Sequence, residues 1–314
     1  MLFYKHFAFM ICHQLRGVYR RIQTGPQNRR SKYMANQSFE FQYPRVLSIA
    51  GSDSCGGAGI QADLKTFSAL GCYGMTAITA LTAQNTAGVQ AIYPVPPTML
   101  CQQIDAVLED IGTDAVKIGM LHSPEIVLEV AAAIDRHALK KVVLDPVMVA
   151  TSGAVLIDTP AIAALVKELF RRVDLVTPNL DEAALLVGRA LHSEAEMESA
   201  ARELLSQGAR AVLLKGGHLP GDTVSDLLIT HDGLHHWMRA PRIRSSNTHG
   251  TGCTLSSAIA AHLALDCSLL EAVEASRAYV RDALRSGAAV QTGQGSGPLN
   301  HGFAPLKMVL RPLR

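Results

Sequence analysis

The sequence predicts an α/β protein: a three-layer α/β/α sandwich whose mostly parallel central sheet is covered on both faces by helices. Three observations carry this expectation. From Arg45 onward, short apolar runs alternate with longer stretches of helical periodicity, the pattern of repeated βα units. The stretches between runs are long enough to be crossover helices, which join parallel strands. Composition agrees, because 48% of residues are apolar but only 5% are aromatic, as suits a core of Ala, Leu and Val.

The elements follow in order. Residues 46–50 are an apolar run closed by Gly51 and read as a buried first strand. Residues 57–70 read as a helix ended by Gly71, and residues 74–82 as a second strand. Pro97–Asp110 is helical, with Ile104, Val107 and Leu108 on one face. Ala115–Ile118, 141–144, Leu175–Val176 and Ala211–Leu214 are further short strands. Helices over 123–136, 160–170, Leu180–Val187 and 193–207 lie between them. Residues 227–230 and 233–237 form a hairpin around Asp232-Gly233. Helices over 252–265 and 269–284 follow. One domain is expected over residues 44–314.

Charge and cysteine usage exclude several classes. The formal charge is +2, but residues 1–33 carry seven Lys or Arg and no acid, so the remainder holds 22 basic against 27 acidic residues. That remainder is acidic and is not a nucleic-acid binder by charge. The basic segment reads as an organellar targeting peptide, as a basic arm, or as an unstructured extension with translation starting at Met34. The last is preferred, because the α/β pattern begins only at Arg45. Residues 1–43 are therefore expected to be disordered or missing from the mature protein. No apolar run reaches the length of a membrane span. The six cysteines show no metal-ligand or disulfide spacing, which fits a reducing cytoplasm.

In doubly wound sheets, ligands bind beyond the carboxyl ends of the strands. Five clusters sit there. Residues 51–59 are Gly-rich, run from a strand into a helix and are followed by Asp63. They read as a plain turn or as a place where substrate lies against backbone. A dinucleotide fold would need an acid about 20 residues on, and none stands between Asp63 and Asp105. No GxxxxGK[ST] motif occurs, so a P-loop is not expected. Gln84-Asn85-Thr86 offers a carboxamide that matches a heteroaromatic edge, or is a polar turn. Asp145-Pro146-Val147-Met148 is paired with Asn179 and Glu182 at a helix start. Asn179 and Glu182 fit either a Mg²⁺–phosphate group or a capping box, and the two are compatible. Lys215-Gly216-Gly217 suits a nucleotide phosphate tail, or a turn with a surface lysine.

The fifth cluster, His249-Gly250-Thr251-Gly252-Cys253, enters an Ala-rich helix. Free N–H groups at a helix start form an anion hole, which would stabilise a phosphoryl group in transfer. A thiol normally titrates near ~8.5, and a helix N-terminus lowers that. Cys253 is therefore expected to act as a base, against the alternative of a small packing residue.

The stretches AGSDSCGGAGIQAD, TALTAQNT, KIGM, LDPVM, TPNLDEA, LKGGH and NTHGTGCT together resemble the bifunctional hydroxymethylpyrimidine/phosphomethylpyrimidine kinases of thiamine biosynthesis. The resemblance covers nearly all of the chain after residue 44. It implies a ribokinase-like fold, ATP, Mg²⁺ and a homodimer, with a pyrimidine alcohol phosphorylated first to the monophosphate and then to the diphosphate. It also implies that Gln84, Gly51, Asp63, Met120 and Val147 surround the pyrimidine. Gly250, Gly252 and Cys253 would be the anion hole and base, Lys215, Asn179 and Thr251 would face the nucleotide, and Glu182 with Asn179 would face the metal. A pyridoxal kinase of the same fold is the nearest alternative. A binding protein that kept the fold but lost catalysis is a second.

Overall fold

The computed structural model describes residues 39–149, 156–157 and 159–313. Of the expectation for residues 1–43, the part on residues 1–38, with the start at Met34, lies outside the described residues. Residues Tyr43–Arg311 form one compact unit. The described part of a second, smaller unit comprises residues 39–42 with Pro312 and Leu313, where the Leu313 N–H donates to the Glu40 carbonyl.

The larger unit is built on strands β1 (Arg45–Ala50), β2 (Tyr73–Ile78), β3 (Ala80–Asn85), β4 (Gly88–Pro94), β5 (Ala115–Ile118), β6 (Val142–Leu144), β7 (Leu175–Val176), β8 (Ala211–Leu214), β9 (Thr223–Thr230) and β10 (His235–Pro241). Its helices are α1 (Gly59–Ala69), α2 (Pro97–Asp110), α3 (Pro124–Arg136), α4 (Thr159–Ala164), α5 (Leu180–Val187), α6 (Glu194–Ser206), α7 (Thr251–Ala264) and α8 (Leu269–Gly287). Helix α4 runs on through a π turn at Leu165–Leu169. An eight-stranded sheet runs in the order β10-β9-β8-β7-β6-β5-β1-β2. All neighbours from β8 to β2 are parallel, and the β9–β10 hairpin adds antiparallel strands at one edge.

Alternation of side chains along each strand splits the core in two. Leu47, Ile49, Val116, Ile118, Leu144 and Val176 pack with α2 to α6 on one face. Val46, Ala115, Val143, Leu175 and Leu213 pack with α1, α7 and α8 on the other. This is the expected three-layer sandwich. The α7 helix is rich in Ala and Ser, and Thr254–Ala261 are all buried. Small side chains let it lie close to the sheet between α1 and α8.

Two positions further along, the same face turns polar. Ser48, Lys117, Asp145, Thr177 and Lys215 follow Val46, Ala115, Val143, Leu175 and Leu213. The carboxyl ends of the strands therefore carry a layer of polar side chains on top of an apolar core.

One expected element is corrected. Residues 74–82 are not one strand. Thr79, fully buried, donates its hydroxyl to the Met120 carbonyl, and there the chain leaves the main sheet. The segment beyond it becomes β3, paired antiparallel with β4 in a separate two-stranded ribbon.

Candidate active site

Sequence determines how α7 begins. Gly250 caps it with φ +82° and no side-chain cap. A β-carbon there would lie 1.8 Å from the Gly57 carbonyl oxygen. Only glycine lets these two Gly-rich loops touch. By contrast, α3, α5, α6 and α8 start with Ser123, Asn179, Ser193 and Ser268 accepting first-turn N–H groups.

The mouth of α7 opens into a cavity of about 720 Å³. Gly51, Gln84, Met120, Val147, Asn179, Glu182, Lys215, Gly250, Thr251, Gly252 and Cys253 all line it. All but Met120 come from the five clusters, and every cluster contributes. Gly51 lies against Met120, whose sulfur would be 3.2 Å from an added β-carbon. Gln84 reaches in from the β3–β4 ribbon rather than from the end of a sheet strand. Its Nε2 is 3.4 Å from His249 Nε2.

Asp63 is the exception, and its expected place beside the pyrimidine is corrected. Its side chain is fully buried. Its carboxylate accepts from Lys117 Nζ at 2.9 Å to both oxygens, from Ser48 Oγ at 2.6 Å and from Ser257 Oγ at 2.6 Å. Every acceptor direction is taken within the protein, so Asp63 serves as the counter-ion of Lys117.

On the other side of the α7 mouth, Asp145 accepts from Lys215 Nζ at 2.9 Å, Thr177 Oγ1 at 3.1 Å and Ser256 Oγ at 3.2 Å. A β-carbon on Gly252 would be 3.3 Å from Lys215 Nζ and 3.6 Å from Asp145 Oδ2. An ammonium and a carboxylate therefore stand at the helix mouth itself. Burial alone would push the Asp145 carboxyl up, but Lys215 and Lys117 outweigh it and hold it below the usual range. Burial moves Glu182 the other way, only partly offset by Lys215 at 3.9 Å.

Asn179 and Glu182 form the capping box that their spacing allows. Glu182 N–H donates to Asn179 Oδ1 at 2.9 Å and Asn179 N–H donates to Glu182 Oε2 at 2.8 Å. Both also line the cavity.

The expectation of an acidified Cys253 thiol is also corrected. Burial pushes it up to about 11, although Lys117 pulls it down. Desolvation of a thiolate outweighs the Lys117 ammonium here.

Sequence reasoning gave no role to four residues. Asp53 and His249 form a pair at 2.9 Å that ties the first Gly-rich loop to the α7 mouth. The Asp53 carboxylate also accepts the Gly57 and Ala58 N–H groups. Burial opposes its ionisation, but His249 and the Ala58 and Cys55 N–H groups bring it down to about 2. Lys117 and Asp145 are the others. A lysine inside the wholly buried run Ala-Val-Lys-Ile needs a buried partner, and that signal was legible.

A cavity at the carboxyl ends of parallel strands, a helix mouth bare of side-chain caps and flanking Lys–Asp pairs define a small-molecule kinase of the α/β/α sandwich class. Comparison with known proteins narrows the class. Residues 53–300 match the family model described as phosphomethylpyrimidine kinase. The chain is 52% identical to a hydroxymethylpyrimidine/phosphomethylpyrimidine kinase of Rhizobium meliloti over 257 residues, covering 82% of this chain and 96% of that protein. It is 46% identical to the Escherichia coli protein of the same name, with the same coverage. A crystal structure of phosphomethylpyrimidine kinase from Clostridium difficile is 44% identical with a TM-score of 0.68, covering 76% of this chain and 99% of that one. A Staphylococcus aureus pyridoxal kinase in complex with AMP-PCP and pyridoxal is 33% identical with a TM-score of 0.77, covering 87% and 100%. The chain belongs to the phosphomethylpyrimidine kinase family, and it is a kinase of the ribokinase-like fold.

Proposed function

We propose that this kinase transfers phosphate from ATP to 4-amino-5-hydroxymethyl-2-methylpyrimidine and then to the resulting monophosphate, supplying the diphosphate for thiamine biosynthesis. The observation that carries this reading is the α7 mouth: Gly250, Gly252 and Cys253 face a cavity beside the Lys215–Asp145 pair. Backbone N–H groups at a helix start stabilise charge on a phosphoryl group in transfer. Gln84 holds the aminopyrimidine edge, with Gly51, Met120 and Val147 around the ring. The nucleotide phosphates lie toward Lys215, Thr251 and Asn179. Cys253 accepts the hydroxyl proton as the oxygen attacks phosphorus.

The residues on the metal side fit Mg²⁺. Glu182 is a buried oxygen donor whose ionisation is only partly compensated by Lys215, so a further cation suits it. Asn179 Oδ1 and Glu182 Oε2 each already accept an N–H, which leaves the second Glu182 oxygen as the main holder, through water. When bound, Mg²⁺ neutralises charge on the phosphate oxygens.

The setting that goes with this reading is a cytoplasmic homodimer whose kinase domain occupies residues 44–314, with 1–43 as an extension. The described cysteines are all free, which supports a reducing compartment. Among the described residues no helix is long and apolar enough to cross a membrane. Light scattering on the purified protein tests the dimer.

The deciding experiment is incubation with ATP, Mg²⁺ and the hydroxymethylpyrimidine, followed by mass spectrometry. Both mono- and diphosphate are expected. The absence of both sinks the reading. The likeness to the pyridoxal kinase structure favours a second activity on pyridoxal, and a parallel assay with that alcohol tests it. A diphosphate product distinguishes the pyrimidine reading.

A further inference from the structure

Cys253 sits on α7 one turn before Ser257, on the same face. Ser257 donates to Asp63, and Asp63 holds Lys117 Nζ with both oxygens. Lys117 extends from the middle of β5, beside Ser48 in register on β1, and Ser48 also donates to Asp63. The lysine and its aspartate are both fully buried, yet Lys117 and Cys253 line the same cavity. Asp63 and Asp145 are thus gripped by the adjacent serines Ser257 and Ser256. Each carboxylate in turn holds one lysine at the α7 mouth.

Lys215 faces Asp145, Glu182 and the nucleotide side. Lys117 has no such second partner among its hydrogen bonds, which all go to Asp63. A buried cation is costly unless its field is used or paired. The field of Lys117 reaches Cys253 more strongly than that of any other cation.

We propose that Lys117 is a positioning residue for phosphoryl transfer, its ammonium serving to stabilise the Cys253 thiolate from beneath the α7 mouth. This rests on the reading of Cys253 as the base. The thiol loses its proton to solvent. The thiolate then takes the proton of the substrate hydroxyl while that oxygen bonds to the γ-phosphorus and ADP leaves with the electron pair of the broken P–O bond.

Four charges act on the sulfur: Lys117 from β5, Asp63 from α1, Asp145 after β6 and Lys215 after β8. The Asp53–His249 pair lies beyond Gly250. Without Lys117, two carboxylates face one ammonium, and the thiolate loses its favourable balance. Without the Asp63 charge the balance shifts toward the thiolate.

The test is the rate of Cys253 alkylation by chloroacetamide between pH 7 and 10, followed by peptide mapping so that other cysteines do not interfere. Lys117→Met is expected to slow alkylation at pH 8 by about tenfold or more, one decade per unit of displaced titration. Its kcat profile for the first phosphorylation should move to higher pH with KM for the pyrimidine little changed. Asp63→Asn, which keeps the ammonium, is expected to speed alkylation. Wild-type alkylation in Lys117→Met, or slowing in both variants, overturns the proposal in favour of a purely structural pair. If Lys117→Met does not fold, Asp63→Asn decides alone: faster alkylation supports the proposal, and unchanged or slower alkylation overturns it. Opposed shifts in alkylation combined with full turnover of Cys253→Ala would remove the base reading while leaving the Lys117–thiolate coupling intact.

Discussion

Removing the Cys253 thiol separates two roles that its position combines. The helix-mouth amides need only backbone geometry and survive a change to alanine. The base does not. Cys253→Ala is expected to cut turnover of the first phosphorylation by ~10²–10⁴-fold, the usual worth of general-base help. The second phosphorylation should fall less, because its attacking phosphate oxygen is already anionic. Because the thiol is pushed up to about 11, the thiolate fraction grows with each pH unit below that value. Wild-type kcat for the first reaction should therefore rise between pH 7 and 9, and the alanine variant should lose that slope. A flat wild-type profile would contradict the base assignment. That Cys253 faces a phosphoryl site was legible from the glycines around it. Its titration was not, because desolvation depends on what the rest of the chain stacks over the sulfur.

Two helix starts meet at the cavity and do different work. Asn179 and Glu182 close α5 with a reciprocal capping box, so Asn179→Ala should cost about 1 kcal/mol of stability, read from the urea midpoint. Glycine opens α7. Gly250→Ala would force a β-carbon to within 1.8 Å of the Gly57 carbonyl oxygen at a φ that favours glycine. The two loops would have to part, and displacement of a site by about 1 Å costs on the order of 10²-fold in rate. A variant that turns over at more than a tenth of the wild-type rate would show that the contact is not needed. Both starts were readable in sequence, since caps and glycines are local signals. The β3–β4 ribbon was not. Its first half continues an apolar run, and the chain turns out of the sheet at Thr79, held by bonds to the distant Met120, Ala50 and Val95 backbone.

At the scale of the whole molecule, two of the buried titratable groups, His301 and Asp53, make stability depend on pH in separate windows. His301 is buried against Thr254 and brought down to about 4 by that burial. Its folded value lies below the ordinary ~6.5, so the stability tied to keeping it neutral is complete above pH 6.5. It is lost as pH falls toward 4, up to about 3 kcal/mol. The Asp53 contribution is complete above ~3.9 and disappears only as pH falls through about 2. Denaturant midpoints measured from pH 8 to 3 should show the first loss in the wild type and a much flatter curve in His301→Gln. An equal loss in both would assign it to other groups. By itself the sequence determined the layer architecture and the end of the sheet that carries the site, because strand and helix periods, caps and glycines act over a few residues. The polar layer of Ser48, Lys117, Asp145, Thr177 and Lys215, each two residues beyond an inward apolar side chain, became visible only in the fold. Only the tertiary structure decided which of those charges meet. Asp63 was taken from the substrate and given to Lys117, and Asp145 was given to Lys215. Pairing and desolvation depend on distances between segments far apart in the chain, and no local pattern encodes them.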